Sequence, residues 1–183
     1  GLLNAMHSFQ GREPSKEQLA EEACKIEIEI MGAPIGRQDQ YAASFGGINS
    51  ISFGEGGVAV DPIEIENDME SRISRNFTLV FTGITRSASK VLSEESEDEL
   101  DKSNRMRVIR EHADKAAIMF QNGDLDSIGD LLNETWNAKR GISSLITNQS
   151  IDELHGRVMS SGAKGAKLLG AGNGGFLLVY GGD

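Results

Sequence analysis

Residues 32–47 read GAPIGRQDQYAASFGG, which places Arg37, Asp39 and Gln40 at the start of a short helix after a Gly/Pro turn. A carboxylate in that place can accept a proton from a hydroxyl attacking a phosphorus centre, with the guanidinium of Arg37 nearby to keep it ionised. An acid in a first helical turn also has a purely structural use, because it complements the positive end of the helix dipole. Residue types alone leave both readings open. A second concentration of signal is the run GAGNGG at 170–175. A dinucleotide-binding turn needs a strand before it and a helix after it, yet FLLVY at 176–180 is strand-like. No GxxxxGK[ST] pattern occurs, so a P-loop is excluded as well. The run is then a tight connection between strands. Either it is an ordinary turn, or Gly170, Gly172, Gly174 and Gly175 let backbone approach a ligand closely.

Other polar residues each carry two readings. Arg86, after a strand and beside Ser87 and Ser89, either contacts a substrate or caps the following helix. Lys139 and Arg140 either bind an anionic group or occupy a last helical turn, where basic residues are favoured anyway. Trp136 shares a stripe with Ile128 and Leu132 and belongs in a core. His7, His112 and His155 show no partner pattern and read as structural or exposed.

Periodicity defines the scaffold around these groups. Ser15 to Gln18 is a capping-box pattern, opening a helix with an apolar stripe at Leu19, Ala23, Ile26 and Ile30, although residues 25–30 also alternate with period two. A short helix over 38–45 should be closed by Gly46 and Gly47. Residues 48–53 and 57–65 read as an antiparallel pair of strands. A polar stretch at 68–76 marks a domain boundary, dividing the chain into 1–72 and 73–183, and 77–81 is an apolar strand. Acidic residues 93–101 form a solvated loop or helix end. Three helices come next, over 104–121 (stripe Met106, Ile109, Ala113, Ala116, Phe120), 124–139, and 151–160, the last opened by Ser150. Strands at 167–169 and 176–180 flank the glycine run. The order strand, helices, strands predicts an α+β fold with helices on one face of an antiparallel sheet.

Composition narrows the function. The 183 residues are 38% hydrophobic, enough for a real core, with 28 acidic against 18 basic residues and a net charge of -10. No Lys/Arg-rich run could track a phosphate backbone, so nucleic acid is not an expected partner. The one cysteine, Cys24, excludes an internal disulfide framework, and no Cys/His spacing suits zinc. No apolar run reaches the roughly 20 residues that span a bilayer, and no leader pattern opens the chain. A cytoplasmic setting without membrane partners is the expectation; oligomeric state carries no signal. Residues 1–9 read as the middle of an amphipathic helix, and the chain stops directly after an apolar strand. The sequence is therefore expected to be cut from something longer at both ends.

The segments PIGRQDQYAASFGG (34–47) and GAKGAKLLGAGNGGFLLVY (162–180) together resemble the GHMP kinases, the galactokinase and mevalonate kinase superfamily. Within it, FTGITRSAS (81–89) and WNAKR (136–140) resemble the branch acting on D-glycero-D-manno-heptose 7-phosphate at its anomeric hydroxyl. The resemblance covers essentially the whole chain. It implies a remnant of a ribosomal-S5-like catalytic domain followed by a ferredoxin-like carboxy-terminal domain, with ATP, Mg²⁺ and a small sugar phosphate as ligands. Asp39 would be the catalytic aspartate, and Glu27 the glutamate that helps hold Mg²⁺, with Glu29 its rival. The glycines of 170–175 would be the third family motif, Asn173 standing where many relatives have glycine. Arg37, Arg86, Lys139 and Arg140 would meet the substrate. The family's Gly/Ser-rich loop that wraps the ATP phosphates is missing from the 183 residues, so the chain alone is expected to be inactive. Two alternatives stand beside this: a family member acting on galactose, fucose or a mevalonate-like alcohol, and a non-catalytic domain that only binds a ligand.

Overall fold

A computed structural model describes residues 1–66, 68–85 and 99–181. The chain forms two compact units, Gly1–Ile63 and Glu64–Asp183.

The first unit begins with α1 (Leu2–Phe9), which buries none of its residues, and α2 (Lys16–Cys24). Ser15 caps α2 as its sequence predicts, its side chain accepting from the Gln18 amide at 3.1 Å. The helix then widens into π-helical turns over Lys25–Ile30. The Met31 amide reaches back five residues to the Ile26 carbonyl at 2.9 Å. This widening corrects the expected stripe. One extra residue per turn rotates the residues beyond Cys24, so Ala20, Cys24 and Ile28 face the core while Ile30 is 70% exposed. Helix α3 (Gln38–Phe45) has its predicted bounds, with Gly46 and Gly47 at φ 65° and 68°, a left-handed stop that side chains resist. Strands β1 (Asn49–Gly54) and β2 (Gly57–Pro62) pair antiparallel, with Ile51 opposite Val60. The second strand ends at Pro62, which has no amide to extend a ladder, rather than at Ile65. Tyr41 anchors the small core, its ring stacked on Phe45 and edge-on to Phe53.

The second unit starts earlier than the polar composition of 68–76 suggests. That stretch is helix α4 (Met69–Asn76), and Met69 is buried in a cluster with Leu125, Ile128 and Tyr180. Met69, with partly buried Ile73 one turn on, fastens the helix to the second unit's core. Strand β3 (Phe77–Phe81) leads to α5 (Glu99–Gln121), α6 (Leu125–Arg140), α7 (Gln149–Ser160), β4 (Gly165–Leu168) and β5 (Phe176–Tyr180). The sheet runs β3-β5-β4, both pairs antiparallel. Alternation along β5 sends Leu177 and Val179 into a cluster with Trp136 and Ile151, and Tyr180 into the Met69 cluster on the opposite face. Helices reach the second face only at the Tyr180 end; elsewhere that face is open, with Leu79, Phe81 and Phe176 about half exposed.

Two further expectations are corrected. On α5 the inward face runs through Ile109, His112, Ala116 and Met119, whereas Met106 and Ala113 are exposed. The buried His112 ring, bonded through Nδ1 to the Thr135 hydroxyl at 2.8 Å, sets that rotation. Helix α7 is capped by Asn148, in extended backbone with its side chain accepting from the Ile151 amide at 3.1 Å; Ser150 lies inside the first turn. The acidic residues 93–98 and Arg86 lie outside the described residues.

Candidate active site

In the first unit the chemistry-bearing residues come from two neighbouring segments, the π-helical turns and the start of α3. Asp39 occupies the first turn of α3 and is exposed. Among the described residues it has no ion pair or hydrogen bond to a side chain, so the site offers a solvent-facing carboxylate beside orphan helix amides. Arg37 does not pair with it. Its guanidinium lies over the Phe53 ring, 5.6 Å from the centroid, a cation–π contact that holds the charge against β1. A groove lined by Ile28, Ile35, Gly36, Arg37, Gln38 and Phe53 runs beside it.

Glu27 and Glu29 go to different places, as residues two apart on a helical turn must. Glu29 lines a cavity with Glu21, Cys24, Arg37 and Tyr41. Burial pushes the Cys24 thiol and the Tyr41 phenol up from their ordinary values there. Glu27 instead meets α3, where its carboxylate accepts a hydrogen bond from the Gln40 side-chain amide, one residue from Asp39. Among the described residues no three His, Cys, Asp or Glu side chains gather as a metal cage. Gln40 is a residue that pattern reading did not single out for a role. Thirteen positions separate it from Glu27, and only its place next to Asp39 drew attention to it.

In the second unit the loop 170–175 joins β4 to β5 as a strand connection, in line with the exclusion of nucleotide fingerprints. Its backbone is left-handed at Gly170 (φ 65°), Gly172 (114°), Asn173 (57°), Gly174 (151°) and Gly175 (93°). Asn tolerates that region better than other side chains, which is why it can replace glycine here. The conformation is fastened from several sides. The Asn173 amide donates to the Ile146 carbonyl at 2.6 Å, and the Asn148 side chain donates to the Asn173 side-chain oxygen. The Gly175 amide donates to the Ile84 carbonyl, and the Thr82 amide and hydroxyl donate back to the Gly175 carbonyl at 2.9 and 2.8 Å. Lys139 adds bonds from its ammonium to the carbonyls of Leu168 and Gly170. Arg140 pairs with Asp152 at 3.4 Å. Both predicted substrate cations thus hold intramolecular partners. Trp136 is fully buried, as its stripe predicts. Asn148 and Thr82 are the residues that sequence reading missed, because a clamp between distant loops leaves no spacing signal.

Residues 116–180 match the family described as GHMP kinases C terminal. The chain is 32% identical, over 98% of its length, to the D-glycero-alpha-D-manno-heptose 7-phosphate kinase of Campylobacter jejuni, and spans 54% of that protein. A crystal structure of a putative sugar kinase from Campylobacter jejuni superposes with a TM-score of 0.73 at 29% identity, covering 100% of this chain and 52% of that one. The bifunctional fucokinase/GDP-fucose pyrophosphorylase of Arabidopsis thaliana is 28% identical over 100% of the chain, which spans 18% of that protein. Against the two Campylobacter proteins the chain spans about half the length of its relatives.

Proposed function

We propose that this chain is part of a GHMP-type sugar kinase that transfers the ATP γ-phosphoryl group to the anomeric hydroxyl of a heptose 7-phosphate. The observation that carries this reading is the arrangement in the first unit: an exposed Asp39 one residue from Gln40, which holds Glu27. The likeness to a heptose 7-phosphate kinase over 98% of the chain supports the choice of substrate.

Asp39 accepts the hydroxyl proton as the sugar oxygen bonds to the γ-phosphorus and the bridging oxygen leaves with ADP. The solvent-facing carboxylate suits that task, since no side-chain partner among the described residues competes for its lone pairs. Glu27 suits Mg²⁺ on the chemistry of its donor set, because Mg²⁺ bound to a nucleotide uses one or two carboxylates with phosphate oxygens and water rather than a cage of side chains. Bound there, Mg²⁺ would neutralise charge on the phosphate oxygens. Gly170, Gly174 and Gly175 offer backbone without a side chain to obstruct phosphates, whereas Gly172 is packed against Ile146 and serves the shape of the loop. Arg37, held over Phe53, supplies positive charge for an anionic substrate, and Arg86, Lys139 and Arg140 are further candidates. No helix among the described residues is long and apolar enough to cross a membrane. We place the reaction in the cytoplasm, where ATP and Mg²⁺ are maintained.

The 183-residue chain by itself is proposed to be inactive, because phosphoryl transfer depends on a cradle for the ATP phosphates that these residues do not include. Detectable ATP-dependent phosphorylation by the isolated chain would overturn that part. The likeness to a fucokinase favours one competing reading, a neutral sugar as acceptor. ADP release by the whole enzyme, measured with heptose 7-phosphate and with neutral sugars, decides between them. Turnover that requires the distal phosphate supports the heptose reading, and turnover on the neutral sugar alone replaces it.

A further inference from the structure

Gln40 is 7% exposed, and only half of its amide is satisfied. Its Nε2 donates to Glu27, while its Oε1 is buried with no hydrogen-bond partner among the described residues. A buried acceptor left unmet is destabilising, and an apolar side chain of similar shape would avoid that penalty. A residue kept only for packing would therefore be better replaced by Met. What the amide provides is a fixed direction for Glu27, which is exposed and sits in π-helical turns, where no regular ladder of neighbours restrains it. The bond also ties together two segments that the chain separates by the turn through Gly32 and Pro34. Among the described residues no group of three or more His, Cys, Asp or Glu side chains gathers there to hold a cation by itself.

We infer that Gln40 is a positioning residue for Glu27, holding that carboxylate in the direction it needs to meet a divalent cation; the inference rests on the kinase reading above. Groups that orient a metal-binding carboxylate typically alter metal affinity by about 10- to 100-fold when removed. The test uses the whole enzyme with ATP and no sugar, so that no turnover occurs, and Mn²⁺ as the probe, its binding followed by electron paramagnetic resonance. Gln40→Met is expected to weaken Mn²⁺ binding by about 10- to 100-fold, with a melting temperature unchanged or raised because the unmet acceptor is gone. Gln40→Asn keeps an amide too short to reach Glu27 and should show the same metal defect, which gives a second route if the Met variant misfolds. In a Glu27→Gln background neither substitution should weaken binding further, since Gln40 acts only through Glu27.

Unchanged Mn²⁺ binding in both Gln40 variants, with Glu27→Gln weakened, overturns the inference and leaves the kinase reading standing. A lowered melting temperature with a binding loss that persists in the Glu27→Gln background assigns Gln40 a structural role and also overturns it. Full Mn²⁺ affinity in Glu27→Gln removes the metal role of Glu27, and with it the premise.

Discussion

The two units hold their chemistry-bearing residues in opposite ways. In the first, Asp39 faces solvent and Glu27 is steadied by a single amide, that of Gln40. In the second, the glycine loop is fastened to Ile146, Asn148, Ile84, Thr82 and Lys139. A carboxylate that takes a proton from an incoming hydroxyl needs access and few internal partners. A loop with five consecutive or near-consecutive left-handed residues needs the reverse, because each would otherwise relax toward more populated backbone. On the proposed reading, reactivity and rigidity are supplied by different stretches of sequence.

Replacing Asp39 tests the first half of that contrast and should have the largest effect. In the whole enzyme, Asp39→Asn is expected to lower kcat by about 10²- to 10⁴-fold while leaving the melting temperature unchanged. ADP release and thermal unfolding measured together check it. A variant that lost stability along with activity would mean that the carboxylate is a structural helix-start acid, and the contrast would fail.

Gly172→Ala strikes the other side. An ideal Cβ there would lie 2.6 Å from the Ile146 carbonyl oxygen, and the backbone sits at φ 114°. Backbone strain of this kind costs about 1–3 kcal/mol. Loss should therefore appear first as lowered stability in chemical denaturation and faster amide exchange around Ile146, with activity falling in its wake. Activity lost at full stability would show that the loop acts directly on a ligand and not through its shape.

Much of this contrast could be read before the structure, and the reasons are local. Helix α3 and its glycine stop were legible because one turn signal, one helix and two glycines lie next to one another in the chain. Strands β3 and β5 announced themselves as apolar runs. The π-helical widening was not legible, since the same alternating KIEIEI suits several backbones and only packing against Tyr41 and β2 selects one. Met69 was hidden among polar residues, and its partners Leu125 and Tyr180 lie far along the chain. The candidate residues within each unit divide in the same way. Asp39 and the glycines were visible as motifs, whereas Gln40 with Glu27, and Asn148 with Asn173, are pairs that only folding brings together.

Asn148 has two duties that can be separated. Its oxygen caps α7 and its amide nitrogen holds Asn173. Asn148→Ala removes both and should cost about 1 kcal/mol from the cap alone. Asn148→Ser keeps a capping hydroxyl but cannot reach Asn173, so stability should largely return while the Asn173 amide exchanges faster. Equal exchange in Asn148→Ser and the native protein would show that the clamp is dispensable and the loop holds its own shape.

The smallest effect concerns acid. His155 lies 6.1 Å from the Trp136 ring, and its Nε2 meets the Ala166 carbonyl at 3.2 Å. Burial holds the imidazole below its ordinary value of 6.5; Arg140 pushes in the same direction, and the Ala166 carbonyl and Asp152 oppose it. The folded protein therefore binds fewer protons at this site than the unfolded chain does just below pH 6.5. Its contribution to stability is intact above that value, declines as the pH falls through 6.5 toward the lowered folded value, and levels off beneath it. Denaturation midpoints should fall over that window in the native protein. His155→Gln, which keeps a donor for Ala166, should flatten the decline. Hydrogen exchange resolved by unit should then show acid loosening the second unit, which contains His155, over that window. Loosening of both together would mean that the two stability responses are not separable, and the contrast drawn from the two sites would not extend to their scaffolds.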